Sequence, residues 1–145
     1  MSTRSTIAVL QEDGTVKSTY CHWDGYPSWM GKILLEHYDT KTANQLLELG
    51  ELSSLHPRIA PEKGEKHSYD KQAEGVTVAY HRDRGDRPIR TNVSPSLKEY
   101  TSRLEYDGQS FNYLLRDNVW FVYHYDEPEW IALTPKMCKE GVFAY

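Results

Sequence analysis

The sequence predicts an α+β fold: an antiparallel β-sheet, made of an N-terminal hairpin and a C-terminal meander, packed with about three short helices. Three observations lead there. A turn signature near the N-terminus separates two β-rich runs, helical spacing of apolar residues fills the middle, and closely spaced strand signals return near the C-terminus. Strand–helix–strand alternation of the kind that builds a parallel sheet is absent, so helices backing an antiparallel sheet are expected. At 145 residues the chain has the size of a single domain, 1–145, with one core.

The elements follow in order. Thr6 to Leu10 and Val16 to Trp23 are β-rich, and Asp13-Gly14 between them is a hairpin signal. Pro27-Ser28 stops the second strand, and Met30, Ile33, Leu34, His37 and Tyr38 recur at helical spacing. From Thr42 to Leu49, Ala43, Leu46 and Leu47 share one side, and Gly50 suits a left-handed helix end, so two short helices form a hairpin. Residues 56–75 are rich in Pro, Gly, Lys and Glu with almost no aliphatics, which predicts a mobile excursion. Val76 to Tyr80 reads as a strand, and Ser94-Pro95 opens a third helix with Leu97, Tyr100 and Leu104 on one face. Phe111 to Arg116, Val119 to Tyr125 and Trp130 to Leu133 form the meander, the first pair joined through Asp117-Asn118.

Composition narrows the function classes. A formal charge of -4 and a pI near 5.8 argue against a protein held to nucleic acid mainly by phosphate contacts. Cys21 and Cys138 lie far apart without metal spacing, so neither a disulfide framework nor a zinc knuckle is suggested. No apolar run resembles a signal peptide or a membrane span, and a cytoplasmic location with no membrane partner is expected. Eleven Tyr and four Trp against three Phe mean that most large rings carry a polar group, which suits interfaces and wet pockets.

The densest group of chemistry-bearing residues is Tyr20-Cys-His-Trp-Asp-Gly-Tyr-Pro27. Strand alternation puts Tyr20, His22 and Asp24 on one face and Cys21 and Trp23 on the other, with Gly25 freeing the backbone to turn. A helix N-terminus just beyond would offer N–H groups to a phosphate or carboxylate, with Tyr20, Trp23 or Tyr26 stacking on a ring. Against that stands plain corner packing by Trp23 and Tyr26. Three His-x-Asp triplets, His22-Trp-Asp24, His81-Arg-Asp83 and His124-Tyr-Asp126, would each set an imidazole beside a carboxylate, although Asp at a strand end also simply begins a turn. The loop from Arg82 to Arg87 gathers Arg82, Arg84 and Arg87 with Arg90 beyond, able to grip phosphate or carboxylates, while its aspartates neutralise part of the charge. Glycine-rich phosphate loops, nucleophile elbows and His-Glu-x-x-His are absent, so no catalytic residue, metal or cofactor is assigned.

Ser5-Thr-Ile-Ala, Asp13-Gly14, the Tyr20 to Pro27 string, Gly31-Lys-Ile-Leu-Leu-Glu-His-Tyr38 and Leu49-Gly-Glu-Leu-Ser-Ser-Leu55 together resemble a family of small, largely uncharacterised tailed-bacteriophage and prophage accessory proteins. The resemblance covers about the first 55 residues, and Trp130-Ile-Ala-Leu133 loosely. It brings no activity with it. It implies the cytoplasm of an infected bacterium and action by binding. The first expectation is therefore a protein that binds and inhibits a host factor of the defence or regulatory kind, with Trp23, Tyr26, Trp29, Arg84 and Arg87 as anchors. The alternative sequesters a nucleotide-derived signal molecule through Tyr20, Trp23 and Tyr26, with His22, Arg82 or Arg87 on phosphate. A hydrolase using His22, Asp24, His81 and His124 is a third. Self-association stays open.

Overall fold

The computed structural model describes residues 3–124 and 127–140. Strands β1 (Ser5–Leu10) and β2 (Val16–Cys21) pair antiparallel, Leu10 opposite Val16 and Ser5 opposite Cys21. Asp13 Oδ1 accepts from the Thr15 N–H and hydroxyl at 3.0 and 2.6 Å, and Gly14 takes φ 86°, so the predicted turn closes the hairpin.

A wide turn, Pro27–Gly31, leads into α1 (Lys32–His37), and α2 (Thr40–Leu47) follows. Helix α2 starts at Asp39 through a reciprocal cap: its carboxylate accepts from the Thr42 N–H at 2.9 Å, while the Thr42 hydroxyl accepts from the Asp39 N–H at 2.8 Å. Short strands β3 (Leu52–Ser54) and β4 (Val78–Ala79) come next, then a second wide turn, Tyr80–Arg84, and β5 (Asn92–Ser94). Helix α3 (Leu97–Asp107) is capped by Ser96, and β6 (Phe111–Arg116), β7 (Val119–His124), β8 (Glu127–Ala132) and α4 (Pro135–Glu140) complete the described chain. Asp117 and Asn118 both take left-handed φ, 50° and 62°, as a two-residue hairpin turn requires.

The α+β class holds, with one refinement of topology. The hairpin and the meander are each antiparallel internally, but they join through β1 and β6, which run parallel from Ser5–Phe111 to Val9–Leu115. The strand order is β4-β3-β2-β1-β6-β7-β8, with β5 also on β2. Cys21 and Leu52 make a further parallel contact. Parallel neighbours need a long crossover, and the chain between β2 and β6, carrying α1, α2 and α3, supplies one.

One sheet face carries Ile7, Val9, Cys21, Leu52, Tyr113, Leu115, Trp120 and Val122 and is covered by α1, α2 and α4 through residues such as Leu34, Leu46 and Met137. Replacing one of the fully buried leucines by Ala at this depth costs about 2–5 kcal/mol. The opposite face carries Ala8, Val16, Leu114 and Tyr123 beneath Tyr100 and Leu104 of α3. Tyr20, which lies on this second face by alternation, falls outside the α3 cluster.

Residues 56–75 hold no helix or strand. Arg58 nonetheless grips Glu65 with two bonds of 2.8 and 3.0 Å, which holds the Glu65 carboxyl down at about 2, and the Arg58 N–H donates to the Gly75 carbonyl. None of the described helices is long and apolar enough to cross a membrane.

Candidate functional site

The Tyr20 to Pro27 corner departs from simple alternation after Cys21, where β2 ends. The Tyr20 hydroxyl and His22 Nδ1 lie 2.7 Å apart, so these two do share a face as the period of two requires. Asp24 does not join them. It sits at φ 57°, and its carboxylate faces the Tyr26 hydroxyl, whose pKa it helps to raise after burial, and the side of His56. Trp23, expected beside the buried Cys21, is instead 42% exposed and meets the His22 ring edge-on at 4.7 Å. Trp23 lies beyond the end of β2 at Cys21 and is released from its alternation, and the left-handed turn at Asp24 then rotates the following backbone out of the strand direction.

That turn is locked from below. The Gly25 N–H donates to the Thr3 carbonyl at 2.9 Å, and the Tyr113 hydroxyl, fully buried, donates to the Gly25 carbonyl at 2.7 Å. A Cβ at Gly25 would lie 2.5 Å from Ser5 Cβ, so only glycine fits. The helix entry does not present an anion cradle: Pro27 has no N–H, and those of Trp29 and Met30 both go to the Tyr26 carbonyl. Trp29 is half-buried, its indole N–H donating to the Leu55 carbonyl at 3.0 Å and its ring edge-on to His56, so it fastens the chain after β3. Tyr26 remains at the surface, 37% exposed.

The arginine loop divides into an inner and an outer part. Arg82 is committed inward, donating to the carbonyls of Ile59 and Thr77 at 2.6 Å each and to Asp83 at 2.8 Å. The buried Asp83 carboxylate also accepts from the Ala79 N–H at 2.8 Å and lies 3.1 Å from Nε2 of the buried His67. His67 Nδ1 accepts from the Ala73 N–H, so the ring proton sits on Nε2, facing Asp83. Burial opposes the charge on Asp83, but the Arg82 and Ala79 hydrogen bonds outweigh it and hold its pKa below the usual carboxylate value.

Arg84 and Arg87 face outward. The Arg84 guanidinium lies 5.0 Å from the Tyr69 ring centre and 4.5 Å from that of Tyr80, with Asp86 at 2.7 Å; Arg87 lies 4.3 Å over Tyr80 and 3.5 Å from Glu51. Tyr69 is set in place by its N–H bond to the Asp83 carbonyl, so the inner hub builds the outer ladder. Two observations join this ladder to the Tyr20 corner. Tyr80 donates its N–H to the Glu51 carbonyl, one residue before Leu52, which pairs with Cys21. His22, whose pKa is lowered first by burial, is lowered further by the Arg4 and Arg87 charges beside it. Arg4, Glu51 and Tyr69, with the buried Tyr80 ring beneath them, therefore belong to a surface for which the sequence nominated only Tyr20, His22, Trp23, Arg84 and Arg87.

The His-x-Asp triplets do not act as three equivalent pairs. Asp83 serves His67 instead of His81, whose Nδ1 meets the Arg87 carbonyl at 2.6 Å. His124 packs on Phe111, which belongs to the helix-covered face opposite to His22, and Asp126 lies outside the described residues. Among the described residues no group of three or more His, Cys, Asp or Glu could hold a metal ion. Burial pushes the Cys21 thiol up to about 12 and that of Cys138 to about 11, which leaves neither a nucleophile.

A cavity of about 460 Å³ between Ser28, Lys32, Leu35, Pro135 and Cys138 shares no lining residue with this surface. A cleft of about 140 Å³ between α3 and β2 is bounded by Tyr20, Thr6, Ser18, Asn92 and Arg103. No protein-family model, curated protein or solved structure matches this chain.

Proposed function

We propose that the chain is a phage-encoded accessory protein that binds and inhibits a host protein of the defence or regulatory kind. The observation that carries the binding part is exposed Trp23, edge-on to His22 in the field of Arg87, with Arg84 and Arg87 laid over the buried ring of Tyr80. Trp, Tyr and Arg held in fixed geometry are the residue types that dominate interface hot spots. The phage setting and the inhibitory role rest on the sequence resemblance.

A second reading, capture of a nucleotide-like small molecule, is favoured by the polar cleft beside Tyr20. At about 140 Å³ it falls below the roughly 300–1,000 Å³ of ordinary ligand pockets. Trp23, Arg84 and Arg87 line none of the described cavities, and groups presented in this way fit a protein better.

The test is an affinity capture from infected host cells with the wild type and with the Trp23→Ala and Arg84→Ala/Arg87→Ala variants, each checked for native circular dichroism. The expected result is one host protein retained by the wild type and lost with both variants. Equal recovery by all three, or recovery of only a small molecule, overturns the proposal.

A further inference from the structure

We infer that the partner presents carboxylates to this surface: an acidic protein segment that seats on Arg4, His22 and Arg87 while Trp23 enters an apolar recess beside it. The inference rests on the binding reading above and specifies its chemistry.

Arg4 is one step beyond the Ser5–Cys21 pair, so continuation of the hairpin register sets it across from His22, on the face of Tyr20. It is exposed and forms no ion pair with a described carboxylate. The Tyr20 hydroxyl engages Nδ1 of His22 at 2.7 Å, so Nε2 is the ring nitrogen left to meet a partner. Arg87 reaches Glu51 only at 3.5 Å and keeps donors free, and Arg90, also exposed, has no ion pair among the described residues. Arg4, Arg84 and Arg87 against Glu51 and Asp86 leave one uncompensated positive charge on a chain whose formal charge is -4. The surface is thus locally opposite in sign to the molecule that carries it.

Carboxylates of a protein suit it better than the phosphates of a nucleic acid, for two reasons. Glu51 and Asp86 stand among the arginines and oppose a continuous polyanion, whereas a folded partner can place its carboxylates between them. Exposed Trp23 needs an apolar recess, which a protein supplies. The arginines over Tyr80 are already ordered, so less side-chain freedom is lost when they take up a planar carboxylate.

The test is an NMR titration of the full chain with a short peptide whose glutamates are spaced by neutral residues around one leucine cluster, and in parallel with single-stranded DNA of equal charge. The peptide should shift the His22 ring and the Arg4 and Arg87 side-chain resonances. Affinity should fall at least tenfold in Arg4→Glu/Arg87→Glu, and also in the milder Arg4→Gln/Arg87→Gln should the reversal disturb folding. Unshifted resonances, equal affinity of the folded variants, or tighter binding of DNA overturns the inference. The two proposals fail separately: a host protein captured as the first test expects, together with a glutamate peptide that leaves the Arg4, His22 and Arg87 resonances unshifted, sinks this one alone, and absence of any captured host protein sinks the first.

Discussion

The Tyr113 hydroxyl donates 2.7 Å to the Gly25 carbonyl from the middle of the core, so a strand of the C-terminal meander fixes the corner at the end of the N-terminal hairpin. Burial raises the Tyr113 pKa far above its usual value, and the group remains a donor at any ordinary pH. Tyr113→Phe leaves a buried carbonyl without that partner. The expected loss is about 1–3 kcal/mol in urea unfolding, with increased amide exchange at Trp23 to Gly25. Unchanged stability would show that the corner holds itself.

His22 should titrate below the ordinary histidine value near ~6.5, because burial and the charges of Arg4 and Arg87 all disfavour its cation. Arg87→Ala removes one of those charges and should move the midpoint upward. A ring-proton NMR titration reads it directly, and a downward or absent shift would place Arg87 away from His22.

Asp83 sets a pH dependence of stability. Its folded pKa is lowered, so its contribution is complete above the unfolded value near ~3.9 and disappears as pH falls through the folded value. Thermal stability of the wild type should therefore drop below about pH 4, and Asp83→Asn should flatten that part of the profile while lowering stability at pH 7. An unaltered acid limb in the variant would assign the dependence to other carboxylates.

Both thiols should be silent towards a disulfide reagent at pH 8 in the folded chain and react fully once it is unfolded in guanidinium, since burial raises both pKa values to about 12 and 11. Rapid reaction of Cys138 in the native protein would mean that α4 opens.

Much of this was within reach of the sequence where the signal is local. The Asp13-Gly14 turn gives the hairpin, and carrying its register from Leu10–Val16 onward reaches Arg4 opposite His22, so Arg4 could have been nominated by counting. Asp39 and Gly50 bracket α2 by capping chemistry alone. Strands β3 and β5, of three residues each, are too short for any period to show, and α4 has only six residues, the first of them Pro135. The Tyr69–Arg84–Tyr80 ladder was invisible for a different reason. It exists because Asp83 gathers His67, Arg82 and the Tyr69 backbone, and nothing in their separate neighbourhoods announces that meeting. Asp24 misled the facial reading because a single left-handed residue cancels strand alternation without leaving a mark in composition.

The parallel seam between β1 and β6 also governs how the chain reaches this state. Thr6 and Asn112, hydrogen-bonded across it at 2.8 Å, are 106 positions apart. The hairpin and the meander each close over short loops, so either can nucleate early, whereas the seam demands one long loop closure. On a ribosome, β1 and β2 would emerge as a hairpin with one edge of β1 unsatisfied until β6 leaves the exit tunnel. Synthesis past β6 therefore precedes completion of the sheet, and the Gly25 corner, which waits for Tyr113 on that same strand, matures late.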